Sequence, residues 1–373
     1  MPASEHALNA GRPSTHHDEG LARRRDNHQV KVMHKGTFSL AIVGLFLVLP
    51  GTALAQDALE NIIKSKDISR TQAATMEAEV ALRFRRLIGA KSTDSRADAR
   101  DRITKTAQIP GASPAGLATY ARTCANEAAG LVSSETLDRA TDGVMVLSAL
   151  DHPDTADTLA DALKSSHAAV RLMAARVIVQ LHDKLKDDAG RCRSLLSALG
   201  RAGAAEQDGI ALRVIYQAID FKANVASFKN GAESADALAT VLAARISQLE
   251  SGGRDEMNEE IAVDAAVRCY PDASKSTQSK LISLMSRLLA VGIERFFATD
   301  TAADYLPTLD RFLGRVDDAI RKMAEASSSN SLKDCPKLRL SPRSVGSKKH
   351  QEDALKVLDC ISAAIAGDPW NAR

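Results

Sequence analysis

Beyond residue 55 the chain holds four histidines: His152, His167, His182 and His350. No two of them sit four apart, the spacing that puts two imidazoles on one helix face to hold a metal. His152 and His167 fall in turns between helices, where neighbouring turns could share a metal or a partner. A solvated turn histidine is the plainer reading of each. Five cysteines, at positions 124, 192, 269, 335 and 360, leave at least one thiol unpaired. Cys335 and Cys360 flank a polar stretch and the last helix, and joining them closes a loop worth about 3 kcal/mol in the chain-entropy account. The other three fit buried helical thiols as well as further disulfides. Carboxylate pairs that could do acid–base work, Asp317-Asp318 and Glu259-Glu260, lie among mixed charges and read as solvated helix faces.

Motifs for other chemistries are missing. The sequence contains no CxxC, no HExxH, no phosphate-cradling glycine pattern and no G-x-S-x-G elbow. Gly200-Arg201-Ala202-Gly203 reads as a helix-ending turn. The expectation is therefore a protein that is no enzyme and has no cofactor and no metal.

Bulk composition narrows the partners. Of 373 residues 45% are apolar but only 3% aromatic, so the core must be built from Ala, Leu, Val and Ile, which suit close helix-on-helix packing. Residues 1–55 carry six Lys/Arg against four Asp/Glu, and the rest of the chain is neutral. Neutrality and the lack of stacking rings argue against nucleic acid as a partner.

The N-terminal region carries an export signal. Residues 37–55, TFSLAIVGLFLVLPGTALA, follow Lys31 and Lys35 and end in Ala53-Leu54-Ala55. A basic flank, an apolar run and a small-residue site make a secretory signal peptide at 33–55, with cleavage expected between Ala55 and Gln56. Pro50 and Gly51 are expected to break the helix there and leave the small residues extended. Left uncleaved, the run is barely long enough for a membrane anchor. Residues 1–32 read as a disordered extension or an over-extended start. The expected location is periplasmic or extracellular, with membrane contact only through an uncleaved signal.

The 3.6-residue period then dominates. Asp67 is expected to cap a helix whose face carries Met76, Val80, Phe84, Leu87 and Ile88. A polar loop is expected at 91–101, and helices at about 115–131, 134–150, 155–163, 168–181, 188–200 and 205–221. Further helices are expected around Leu238–Leu249, at about 274–297, at 305–324 and at 352–366. The sequence divides into an N-terminal helical segment (56–131), a helical-repeat domain (132–326), a basic Ser/Pro-rich linker (327–350) and a C-terminal helix and tail (351–373). No segment alternates as a strand does, so the fold is expected to be all-α.

Residues 159–181, LADALKSSHAAVRLMAARVIVQL, resemble the core of a HEAT repeat. Leu159 and Leu163 end a first helix, Ser165 to His167 make the turn, and Val170-Arg171 lead into the second helix. Weaker copies on either side extend the resemblance over about 132–221. Where the family often has Asp in the turn, Ser166 or His167 stands here, which puts the polar ladder between repeats in doubt. The resemblance implies a helical-hairpin solenoid, with an irregular helical array as the alternative.

An amphipathic hairpin cannot bury its own stripe, so such units stack and present helix ends and turns to partners. The expected function is an exported, non-catalytic scaffold that binds protein partners, through the turns carrying Asp151, His152, Asp154, Ser166 and His167. The alternatives are an exported enzyme of unfamiliar type with a site in a helical cleft, or a membrane-tethered envelope protein.

Overall fold

A computed structural model describes residues 51–252, 258–299, 301–327, 329 and 331–367. The signal segment, apart from residues 51–55, lies outside these, as does everything before it. The described residues form α-helices and short 3-10 turns, without a strand. No described helix is long and apolar enough to cross a membrane.

The helices are α1 (Gly51–Lys64), α2 (Arg70–Gly89), α3 (Thr93–Thr104), α4 (Pro114–Val132), α5 (Leu137–Leu150) and α6 (Ala156–Ala162). Then come α7 (Ala168–Leu185), α8 (Ala189–Ala205), α9 (Gly209–Ile219), the single turn α10 (Phe221–Asn224) and α11 (Gly231–Glu250). The last are α12 (Glu259–Cys269), α13 (Lys275–Phe297), α14 (Leu306–Ala326) and α15 (Lys348–Gly367). The helical period of the sequence delimits no counterpart to α12.

Six hairpins stack in chain order: α2–α3, α4–α5, α6–α7, α8–α9, α11–α12 and α13–α14. Their first helices, with α15, line up as one layer, and their second helices form the other. Each hairpin packs chiefly on its neighbours, and the first helices recur roughly every 40 residues. This arrangement is compatible with a helical-repeat solenoid. The boundary expected at residue 131 lies at the end of α4, within the α4–α5 hairpin, and the described residues cluster as one compact unit.

Local chemistry explains the element ends. Ser69 caps α2 by a reciprocal capping box with Gln72, taking the place expected for Asp67. Met76, Val80, Phe84 and Leu87 are buried on α2, but Ile88 is exposed. Most of the polar stretch at 91–101 is not a loop: residues 93–101 belong to α3, started by a second box between Ser92 and Ser95. It looks like a loop because α3 buries only Ala99 and Ile103. Its polar side is used instead, with Arg96 and Arg100 bridging to Asp138 and Asp142 on α5. Positions 51–55 are helical in α1 where an extended form is expected; Ala and Leu are strong helix formers.

Gly200 and Gly203 do not end a helix. Both lie inside α8, where a Cβ at Gly200 would press on the Ala237 backbone and one at Gly203 on Val241 and Ile215. They let α8 approach α11 and α9 closely. The supposed linker is folded as well: Leu332 and Cys335 are buried. Cys335 and Cys360 form a disulfide with their Cα atoms 5.7 Å apart, tying the segment to α15. Arg321 on α14 donates to the carbonyls of Cys335 (3.1 Å) and Pro336 (2.7 Å). α15 in turn buries Ala354, Val357 and Ile361 as the last member of the first layer.

Candidate interaction surfaces

The five turn residues do not share one surface. Asp151, His152 and Asp154 lie where α5 hands over to α6; Ser166 and His167 lie at the other end of α6. Seven helical residues, about 10 Å of rise, separate the two turns and place them on opposite edges of the stack.

On the first edge, Asp151 ends α5 in the left-handed conformation (φ 47°), the one non-glycine with positive φ among the described residues. Asp tolerates that conformation better than most residues. Lys184, from the end of α7, pins it by donating to its carbonyl (2.6 Å) and pairing with its carboxylate. Asp154 is not a free ligand either. Its buried carboxylate is held by Arg122 of α4 (3.3 Å) and Arg191 of α8 (2.5 Å). His152 is half-buried, and its Nδ1 accepts from the Asp154 N–H at 3.2 Å. Burial lowers its pKa, against the opposing pull of Asp154. These side chains bind three successive hairpins together.

On the opposite edge, the His167 Nε2–H donates to the Glu135 carbonyl in the preceding turn, at 2.7 Å. Arg171 reaches forward to Glu206 in the next turn through two bonds, 2.7 and 2.6 Å, and back to the carbonyls of Ser165 and Ser166. The carboxylate of Glu206 also accepts the N–H groups of Gln207 and Asp208. A polar ladder between successive hairpin turns is therefore present on this edge. Its carboxylate comes from Glu206, not from the turn that holds Ser166 and His167, which is why the Asp-less turn misleads.

Other reactive residue types are similarly engaged. His182, near the end of α7, is 1% exposed. Its Nε2–H donates to the Ala218 carbonyl and its Nδ1 accepts from the Asn224 amide, both at 3.0 Å. Its ring stacks on Phe221, which stacks on Phe228. Burial drives its pKa from the ordinary 6.5 down to about 4. Cys124, Cys192 and Cys269 are buried free thiols. Desolvation pushes them up to about 12, 11 and 12, which suppresses the thiolate.

Both carboxylate pairs are split by the fold. Glu259 is 1% exposed and receives the Arg245 guanidinium at 2.9 Å, while Asp317 is 2% exposed and pairs with Arg321. Their neighbours Glu260 and Asp318 face outward, toward Arg315 and Lys337. Reading all four as solvated fails for the inner two, because adjacent helical residues point about 100° apart.

A cavity of about 370 Å³ opens between α12 and α14, lined by Asp264, Val267, Arg268, Arg315, Asp318, Ala319 and Lys322. Its arginines are committed: Arg268 to Asp220, and Arg315 to Glu260 and Asp264. No cluster of three or more His, Cys, Asp or Glu suited to a metal occurs among the described residues.

No family model matches this chain, and no curated protein does. Among solved structures, a chain from the work "Computational Design of Self-Assembling Cyclic Protein Homooligomers" is matched at 11% identity. The match covers 84% of this chain and 91% of that one with a TM-score of 0.17, too low to bear on fold or function.

Proposed function

We propose that this chain is an exported, non-catalytic interaction scaffold built as a HEAT-like solenoid. The observation that carries the reading is the stacking itself: hairpins that pack chiefly on their chain neighbours leave two edges and two outer faces open along the array. The Val170-Arg171 pair supports the HEAT likeness, since Arg171 makes the rung between successive turns. The edge residues contribute to this function by holding the hairpins in register. The faces between the edges then meet the partner.

Intact mass of the exported protein, isolated under native conditions after mild cross-linking, tests the proposal. The expected result is a chain beginning at Gln56 and carrying a stoichiometric protein partner. A retained N-terminal segment overturns the exported form in favour of a membrane tether. A bound small molecule without a protein partner overturns the scaffold reading in favour of an enzyme.

A further inference from the structure

α15 is attached differently from the other long helices. As the last member of the first layer it has no second helix to complete a hairpin, and α13 is the one helix it packs against at length. The 20-residue helix buries only Ala354, Val357 and Ile361, with Leu358, Ala364 and Ile365 partly buried. Among the described residues no hydrogen bond or ion pair joins it to another helix. Its polar contacts run between Lys356 and Asp353 and to Ser347 just before it. Three buried side chains are a weak hold on a helix of this length, because every ordered residue gives up backbone freedom.

The linker before it is anchored independently. Leu332, Cys335 and Ser344 are buried, and Arg321 of α14 donates to the Leu332, Cys335 and Pro336 carbonyls. Asp317 accepts the Leu338 N–H at 3.2 Å, and Lys337 pairs with Asp318 on the same helix. The Cys335–Cys360 bond therefore joins a segment fixed to α14 to a helix that little else holds. Cys335 is buried and Cys360 only partly so, which leaves the Cys360 sulfur as the end open to attack. The other three thiols are at most 4% exposed, and burial keeps them protonated, so exchange is confined to this pair.

We infer that the Cys335–Cys360 bond is a reversible latch on α15: reduction frees the helix from α13 while the linker and the hairpins stay folded, and oxidation docks it again. A dithiol attacks Cys360 Sγ as its thiolate, forming a mixed disulfide, and Cys335 leaves as a thiolate that takes up a proton. The second thiol of the reductant then displaces Cys360, leaving two protein thiols and a cyclic disulfide that carries the oxidation. Closing is the reverse exchange with a disulfide oxidant. The place of the latch in the cell rests on the exported reading. It stays open in a reducing interior and closes in oxidising surroundings, so the C-terminal end of the stack is completed after export.

The test uses the oxidised chain from Gln56, with dithiothreitol as reductant and oxidised glutathione as oxidant, under native conditions. Maleimide labelling confirms that Cys335 and Cys360 have been freed, and amide exchange reads the fold. After reduction the amides of α15 are expected to exchange at least roughly tenfold faster. Those of the linker beside Arg321 and of α11 should keep their rates, and oxidised glutathione should restore α15. The Cys335→Ser, Cys360→Ser double variant should match the reduced parent and ignore dithiothreitol; if it does not fold, the reduced parent still decides. Unchanged exchange in α15 with both sulfurs free overturns the latch, because the helix then docks without the bond. So does linker exchange that rises in step with α15, or a bond that dithiothreitol opens only with denaturant. Alkylation of intact cells before lysis separates the two readings. Both sulfurs blocked by their own bond supports closure after export, whereas both free in the cleaved chain overturns the cellular assignment and leaves the latch itself to the exchange result.

Discussion

His182 makes the joint between the third and fourth hairpins sensitive to acid, and the sign and size of the effect follow from its surroundings. The imidazole is neutral in the fold: Nε2–H serves the Ala218 carbonyl and the bare Nδ1 serves the Asn224 amide. Protonation would put a second N–H against that amide in a site with no carboxylate to offset the charge. Burial is accordingly the dominant cause of the fall from 6.5 to about 4. Between those two values the unfolded chain binds the proton and the folded chain does not, so stability falls as pH falls. The contribution is fully present above about pH 6.5, declines through the interval, and is gone below about pH 4. The shift of roughly 2.5 units corresponds to about 3 kcal/mol in all, of which about 2 kcal/mol is lost by pH 5.

Carboxylates titrate in part of the same interval, so a comparison is needed. His182→Gln keeps an amide able to donate to Ala218 but has no group that ionises. Urea unfolding of both proteins, followed by helical circular dichroism from about pH 7 to pH 4.5, isolates the histidine. The parent should lose about 2 kcal/mol more than the variant over that range. Because a hairpin stack can open locally, amide exchange on α7 and α10 should show the loss first. Parallel pH dependences in the two proteins would refute the reasoning, since they would mean that the imidazole is not held neutral by burial.

Other substitutions address other joints. Glu206→Ala strands the Arg171 guanidinium and two backbone N–H groups in a side-chain site with no exposure. It should cost about 3 kcal/mol in urea unfolding, and Glu206→Gln clearly less. Gly116→Ala drives a methyl group into the Ile63 carbonyl, a backbone atom that cannot swing aside. A loss of about 2 kcal/mol and faster amide exchange in α1 are expected. Cys335→Ser removes the bond between the folded linker and α15. It should cost about 3 kcal/mol and make α15 the first site of limited proteolysis. Ellman's reagent should find no reactive thiol in the native chain from Gln56, and three after unfolding without reductant.

Helix positions were legible where one face is apolar and the other polar, as on α7, where Val170, Ala174, Val177, Ile178 and Leu181 are all buried. The period fails on α3, whose twelve residues bury only two apolar side chains. That helix is held through Arg96 and Arg100 to α5, about 40 positions away in sequence, and long-range pairing of charges leaves no local pattern. Glu259 and Asp317 were missed for the same reason. A carboxylate beside a second carboxylate looks solvated until Arg245 or Arg321 is brought against it. The turn histidines were correctly placed between helices, but a short helix between two turns decides whether they share an edge. With α6 at seven residues, they do not.

The distribution of charge separates arginines that hold the stack together from arginines that only face outward. At the joints, arginine and carboxylate come from different hairpins: Arg191 with Asp154, Arg171 with Glu206, Arg268 with Asp220. Each pair spans neighbouring units, so breaking one uncouples two hairpins without emptying either core, and cooperativity should fall before helicity does. On the exposed sides of α7 and α9, Arg176 and Arg213 have no ion pair among the described residues, and removing them should leave the stack intact. A joint arginine and a face arginine thus make opposite predictions for one measurement, the steepness of the unfolding transition. Arg171→Leu should broaden it, and Arg176→Leu should leave it unchanged.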